Sequence, residues 1–173
     1  MKDMALRIPS GLAASCHKTP QRAAWLDRLP GVLRNLEHRW SLRLDAPFDD
    51  QEVSCSYVTP VVRADRTLAV LKIGMPHMEG EHEIRGLRFW DGDPTVRLLM
   101  ADDDLGAMLL ERCEPGTVLR ALPEREQDVV ISVCCVVCGA RHQYNIPFAL
   151  CLPWQSIGVT RRWRTSSSGP IRD

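Results

Sequence analysis

A lysine interrupts an otherwise apolar run, Leu68-Ala69-Val70-Leu71-Lys72-Ile73. The run lies between a turn-like Ala64-Asp65-Arg66-Thr67 and Gly74, which predicts a buried strand over 68–73. An ammonium inside such a strand is costly unless a carboxylate meets it. The chain must either bring an acid to Lys72 or let the lysine snorkel to water at a sheet edge. The following segment, predicted as a helix over 79–90, carries Glu79, Glu81 and Glu83. Glu79, Glu83, Leu87 and Trp90 fall on one stripe of that helix by the three/four rule. A carboxylate on that stripe can meet Lys72.

The flanking elements are predicted in the same way. Residues 1–18 are expected to form a loose, flexible arm. Thr19 caps a helix with Pro20 in its first turn. Ala23, Ala24, Trp25, Leu29, Val32, Leu33 and Leu36 continue it, with Pro30 expected to kink or split it. Alternation over 40–44 predicts a first strand. Residues 57–62 predict a second, whose Pro60 implies an edge or a bulge. Two more strands are expected over 96–100 and 107–112, joined by the acidic turn Asp102-Asp103-Asp104. A further helix begins near Pro123. This order argues an α+β domain, a five-stranded, mostly antiparallel sheet with one helix packed across it and helices before it.

Composition narrows the function. The 173 residues carry 22 basic and 22 acidic side chains, which excludes a strongly basic nucleic-acid binder. The longest apolar run, over 129–140, falls short of the roughly 18 residues of a membrane span. No nucleic-acid or membrane partner is expected. Leu12-Ala13-Ala14-Ser15-Cys16 faintly suggests a lipoprotein cleavage site. Asp3, Arg7, Pro9 and Ser10 interrupt the apolar stretch an export signal needs, so a cytoplasmic protein is expected. The zero net charge hides a split. Residues 132–173 hold five Arg and one acid, Asp173, against 17 basic and 21 acidic residues before them. Four of the seven cysteines also lie there.

The longer succession is more specific. Pro60-Val61-Val62 leads to Val70-Leu71-Lys72-Ile73-Gly74, then Pro76-His77. Glu81-His82-Glu83-Ile84-Arg85-Gly86-Leu87-Arg88-Phe89-Trp90 follows. Thr95-Val96-Arg97-Leu98-Leu99 precedes Met108-Leu109-Leu110-Glu111-Arg112-Cys113-Glu114-Pro115-Gly116. This succession, over about 21–131, resembles the streptomycin and hydroxyurea phosphotransferases, whose fold is similar to that of protein kinases. The resemblance implies a kinase-like small lobe over 19–131 and transfer of the terminal phosphoryl of ATP, with Mg, to a small-molecule hydroxyl. It implies that Lys72 binds the phosphates and Glu83 pairs with it, Glu79 being second choice. The backbone of Glu111 and Cys113 would meet adenine, and Val70 and Leu110 would wall its pocket.

The chain departs from that pattern in two places. No glycine occurs between Gly31 and Gly74, so a glycine-rich phosphate loop is missing. Asp49-Asp50-Gln51-Glu52 stands there instead, leaving Ser54 and Ser56 as the groups that could approach a phosphate. Nothing after residue 131 resembles the His-x-Asp-x-x-x-x-Asn loop and later Asp of the family's large lobe. No catalytic and no metal-binding residue is therefore assigned. The lobe's uncovered apolar face, near 107–119, is expected to favour self-association. Cys135, Cys138 and His142 offer too few ligands for a confident zinc site.

Two functions of different class follow. One is the N-terminal part of a small-molecule kinase, inactive alone, whose 132–173 tail is disordered or read in a shifted frame. The other is a non-enzymatic nucleotide-binding or interaction module with a cysteine-rich tail. The gene separates them. A shifted frame beyond codon 131 should encode an amphipathic helix and then a His-x-Asp loop with Asn five residues after the Asp. Finding that continuation in neither alternative frame would defeat the frame-shift expectation.

Overall fold

The computed structural model describes residues 7–48, 55–75, 80–92, 95–114 and 121–130. Its elements are α1 (Ser10–Cys16), α2 (Pro20–Arg39), β1 (Leu42–Leu44), β2 (Ser56–Arg63), β3 (Leu68–Gly74), α3 (Gly80–Trp90), β4 (Leu98–Asp102) and β5 (Ala107–Glu111). Residues 124–130 are helical as well. The strands form one sheet in the order β1-β2-β3-β5-β4. Every pairing in it is antiparallel. This is the α+β architecture of a kinase-like small lobe, with β3 at the centre.

Alternation along the strands divides the core in two. Tyr57, Val61, Ala69, Leu71, Ile73 and Leu109 face α1 and α2. Val58, Val70, Met108 and Leu110 face α3 with its Ile84 and Leu87. Burial pushes the Tyr57 phenol up to about 12, so it stays neutral beneath α2. Thr19 caps α2 as the sequence requires, its hydroxyl accepting from the Arg22 N–H at 3.4 Å.

Two N-terminal expectations are corrected. The arm expected over 1–18 contains α1, and Leu12 and Cys16 on it are fully buried against α2 and the sheet. Seven residues cannot hold a helix alone; burial of that apolar pair supplies what the local pattern lacks. Pro30 does not split α2, since one helix runs from Pro20 to Arg39. A proline inside a helix costs about 3 kcal/mol. Leu29 and Leu33, buried on either side of it, return about 1.5–3 kcal/mol each.

Pro60 occupies an interior strand without a bulge, its register to Val70 unbroken. Its carbonyl accepts from the Asp45 N–H, just past the last β1 residue. In an antiparallel strand the nitrogen points the same way. The missing donor thus lies where β1 has already ended, a local edge within the sheet. The β4–β5 turn closes on Gly106, whose φ of 59° is the left-handed region that glycine adopts without strain. β4 spans Leu98–Asp102, two residues later than expected, and its pairing with β5 shifts register between Leu98 and Met100.

The corrected N-terminus is open to test. Leu12→Ala should lower unfolding free energy in urea by about 2–5 kcal/mol, as for a core leucine. Ala14→Ser, on the exposed side of α1, should change it by less than about 0.5 kcal/mol. A loose arm would leave both variants silent.

Candidate nucleotide-binding site

Lys72 sits in the middle of the central strand, opposite Val58 on β2 and Met108 on β5. These two neighbours enclose its methylene stem, and only 5% of the residue is exposed. Its Nζ lies 2.5 Å from Glu83 Oε1 on α3. The lysine is neither at a sheet edge nor snorkelling. The described part of the predicted stripe is present: Glu83 is half-buried, Leu87 and Trp90 are buried, and Ile84 is buried beside them. Glu79 lies outside the described residues, so Glu83 alone of the two candidates is placed at Lys72.

The other expected residues gather on the same face. Val70 precedes Lys72 by one alternation, and Leu110 is its cross-strand partner on β5. Both belong to the α3-side cluster, against which Cys113 packs from just beyond β5. Ser56 is buried opposite Gly74, two residues from Val58. Ser54 and residues 49–52 lie outside the described residues. Glu111 ends β5 with its backbone N–H donating to the Arg97 carbonyl at 3.0 Å. Its carboxylate accepts from the Arg97 N–H at 2.9 Å. This two-way tie fixes the strand end from which residues 112–114 depart.

Three contributors escaped the sequence: Val58, Met108 and Ile84. Each shares the Lys72 face. Period-two alternation from Lys72 would have found Val58 and Met108 once the register was known, and register is a tertiary property. A cleft of about 420 Å³ opens beside the pair, between α2, α3 and the β4–β5 turn. Glu83, Ile84 and Met108 line it, but Val70 and Leu110 do not. It is therefore separate from the wall expected for adenine. Among the described residues no group of three or more His, Cys, Asp or Glu could hold a metal ion. Cys135, Cys138 and His142 lie outside them. No helix among the described residues is long and apolar enough to cross a membrane.

A central-strand lysine, desolvated and oriented by a helix carboxylate beside an apolar wall, is arranged to meet a phosphate next to a flat apolar ring. The family described as aminoglycoside/hydroxyurea antibiotic resistance kinase matches residues 39–156. That span takes in 25 residues beyond Ile131, within the segment set apart by charge and cysteine content. Streptomycin 6-kinase of Streptomyces griseus is 36% identical over 124 residues, 70% of this chain and 40% of that protein. The Streptomyces glaucescens streptomycin 6-kinase is 38% identical over 121 residues, 69% and 39% of the two chains. Hydroxyurea phosphotransferase of Kitasatospora aureofaciens is 39% identical over 109 residues, 63% and 32% of the two. The chain thus spans at most about two fifths of the length of these curated relatives. No solved structure matches.

The buried pair makes a quantitative prediction. Lys72→Met strands a carboxylate and Glu83→Leu strands an ammonium, so each should cost about 3–5 kcal/mol in urea unfolding. The double variant should be clearly more stable than the sum of the two losses, because neither charge is left alone. Additive losses would mean that the two side chains do not interact in solution.

Proposed function

The chain belongs to the aminoglycoside/hydroxyurea antibiotic resistance kinase family, and from that membership we propose that it supplies the nucleotide-holding lobe of an ATP-dependent small-molecule O-phosphotransferase. The observation that carries this reading is the Lys72–Glu83 pair, buried in the sheet face that also presents Val70 and Leu110. In this role Lys72 binds nucleotide phosphates and Glu83 fixes the direction of its ammonium. Val70 and Leu110 wall the adenine, and the backbone of Glu111 and Cys113 meets its edge. Among the described residues Ser56 is the hydroxyl nearest in sequence to the 49–52 stretch that stands where a phosphate-covering loop is expected. The acceptor is a hydroxyl of a streptomycin-like aminoglycoside or of hydroxyurea, the compounds for which the relatives are named. A cytoplasmic setting, where ATP is abundant, suits this reaction.

Phosphoryl transfer places large demands on positioning and charge stabilisation. In the proposed role the described residues serve the half of it that concerns the nucleotide. They do not fit the magnesium that the family's chemistry implies, since no suitable carboxylate cluster is among them, and no step is assigned to it here. None of the five histidines is followed at two residues by an aspartate. A base for the acceptor hydroxyl is thus not assigned in these 173 residues. The proposal is accordingly binding of ATP without turnover by this chain alone. Self-association is a further part of the proposal; Ala107, Met108, Leu109 and Leu110 are buried, so a face that serves it lies outside these four residues.

Calorimetric titration with ATP and with adenosine tests the assignment. Lys72→Ala should weaken ATP binding at least tenfold, equivalent to about 1.4 kcal/mol, and leave adenosine binding nearly unchanged. Equal losses for the two ligands would show that Lys72 does not meet the phosphates. Incubation of the chain with ATP and either streptomycin or hydroxyurea should yield no phosphorylated product; steady turnover would refute the proposal of binding alone.

A further inference from the structure

Helix α3 carries Glu83, yet the apolar stripe that seats it, Ile84 and Leu87, is poor at fixing its rotation. Apolar burial is non-directional and tolerates roll and sliding. A directional attachment exists five residues after Glu83. Arg88 Nη1 donates to Asp103 Oδ1 at 3.0 Å, and Nη2 donates to Oδ2 at 2.7 Å. Two parallel bonds between a guanidinium and a carboxylate fix geometry as well as distance. Five residues correspond to about 7.5 Å along a helix and about 140° around it. Anchors separated in both coordinates set translation and roll together, which neither anchor does alone.

The turn that receives Arg88 is itself braced. Asp102, the preceding residue, accepts from Arg39 Nη1 at 2.8 Å through Oδ2 and from the Leu105 N–H at 3.0 Å through Oδ1. Arg39 ends α2, on the opposite face of the sheet. The Gly74 N–H, two residues beyond Lys72, donates to the Gly106 carbonyl at 2.9 Å. Neighbouring carboxylates of one turn thus hold the helices of both faces, and the same turn is bonded to the end of the lysine strand. Hydrogen bonding to Arg88 holds the Asp103 carboxyl below the usual carboxylate range, so the fork stays ionised.

We propose that Arg88 and Asp103 are positioning residues that set the roll of α3 from the β4–β5 turn and thereby keep Glu83 on Lys72. The pair touches no nucleotide in this scheme; it acts through Glu83. It is an exposed pair, so its loss should change global stability little. Its consequence is local, at a lysine two strands away in sequence. The effect on nucleotide affinity rests on the function proposed above, whereas the effect on the Lys72 environment does not.

The test uses the chain's three lysines, Lys2, Lys18 and Lys72. Competitive reductive methylation, read by mass spectrometry on the folded protein, should find Lys72 protected and exposed Lys18 reactive. Arg88→Gln and Asp103→Asn should each raise Lys72 labelling at least fivefold, with Lys18 labelling and the urea midpoint unchanged. The charge-exchanged double variant Arg88→Asp/Asp103→Arg should restore protection. Unchanged Lys72 labelling in both single variants would overturn the proposal. So would a rise that follows a fallen urea midpoint and is not reversed by the exchange. The single variants should also weaken ATP binding about fivefold. Loss of that effect together with an unaffected Lys72→Ala variant would reject the nucleotide role, while the labelling result still decides the role of the fork.

Discussion

A charge pair at the centre of the sheet sets the terms for the surrounding structure. Lys72 stands on the middle strand with Val58 and Met108 beside it, and its ammonium has one carboxylate within 2.5 Å. Desolvating both ions is expensive, and a well-packed apolar pair would often serve stability as well or better. The pair therefore adds little as a reason for the fold to exist. It acts as a specification: β3 and α3 can associate productively only where a helix carboxylate, here Glu83, reaches Lys72, because a register that offers none leaves a buried charge alone. Retention of such a pair, at that cost, fits a site whose task is to present a cation to an anionic ligand.

The sheet separates this site from the structure that supports it. On the far face α1 and α2 bury Leu12, Trp25, Leu29, Leu33 and Leu36 against Tyr57, Leu71 and Leu109. That cluster is the larger one and contains no ion pair. The α3 face holds a smaller cluster and the buried charges. A face that must accept a ligand cannot be filled as completely as one that only has to cohere. In the proposed role, stability and binding are divided between two sides of one set of strands, and the period-two alternation of β2, β3 and β5 makes the division possible. The β4–β5 turn joins the two sides through Asp102 and Asp103.

Family membership and local chemistry point the same way, with one difference in emphasis. The curated relatives are named for phosphorylation of streptomycin and hydroxyurea, and this chain matches them over the part that contains Lys72 and Glu83. The acidic stretch 49–52 takes the place of a glycine-rich cover. In the proposed role, phosphate affinity then rests on Lys72 more than it would with a loop of backbone N–H donors.

Much of this was written into the sequence. A lysine in an apolar strand followed by an acidic helical stripe determined that β3 and α3 would meet, because solvation leaves a buried ammonium few alternatives. Turn residues and alternation determined the five strands, and Thr19-Pro20 determined where α2 begins. Other features were decided only when distant segments came together. The sequence over 10–16 carries no strong helical signal, yet α1 forms because Leu12 and Cys16 find a core to enter. Pro30 argued for a break that the burial of Leu29 and Leu33 overrides. Pro60 argued for an edge; its strand is interior, and the proline is accommodated because β1, three residues long, has ended where the missing donor points. Arg39, Arg88, Asp102 and Asp103 read as ordinary surface charges along the chain. Their pairings span 63 and 15 residues, and no local pattern encodes such a partner. Local patterns depend on neighbours three or four residues away, whereas register, roll and the choice of a carboxylate depend on which surfaces the finished sheet brings together.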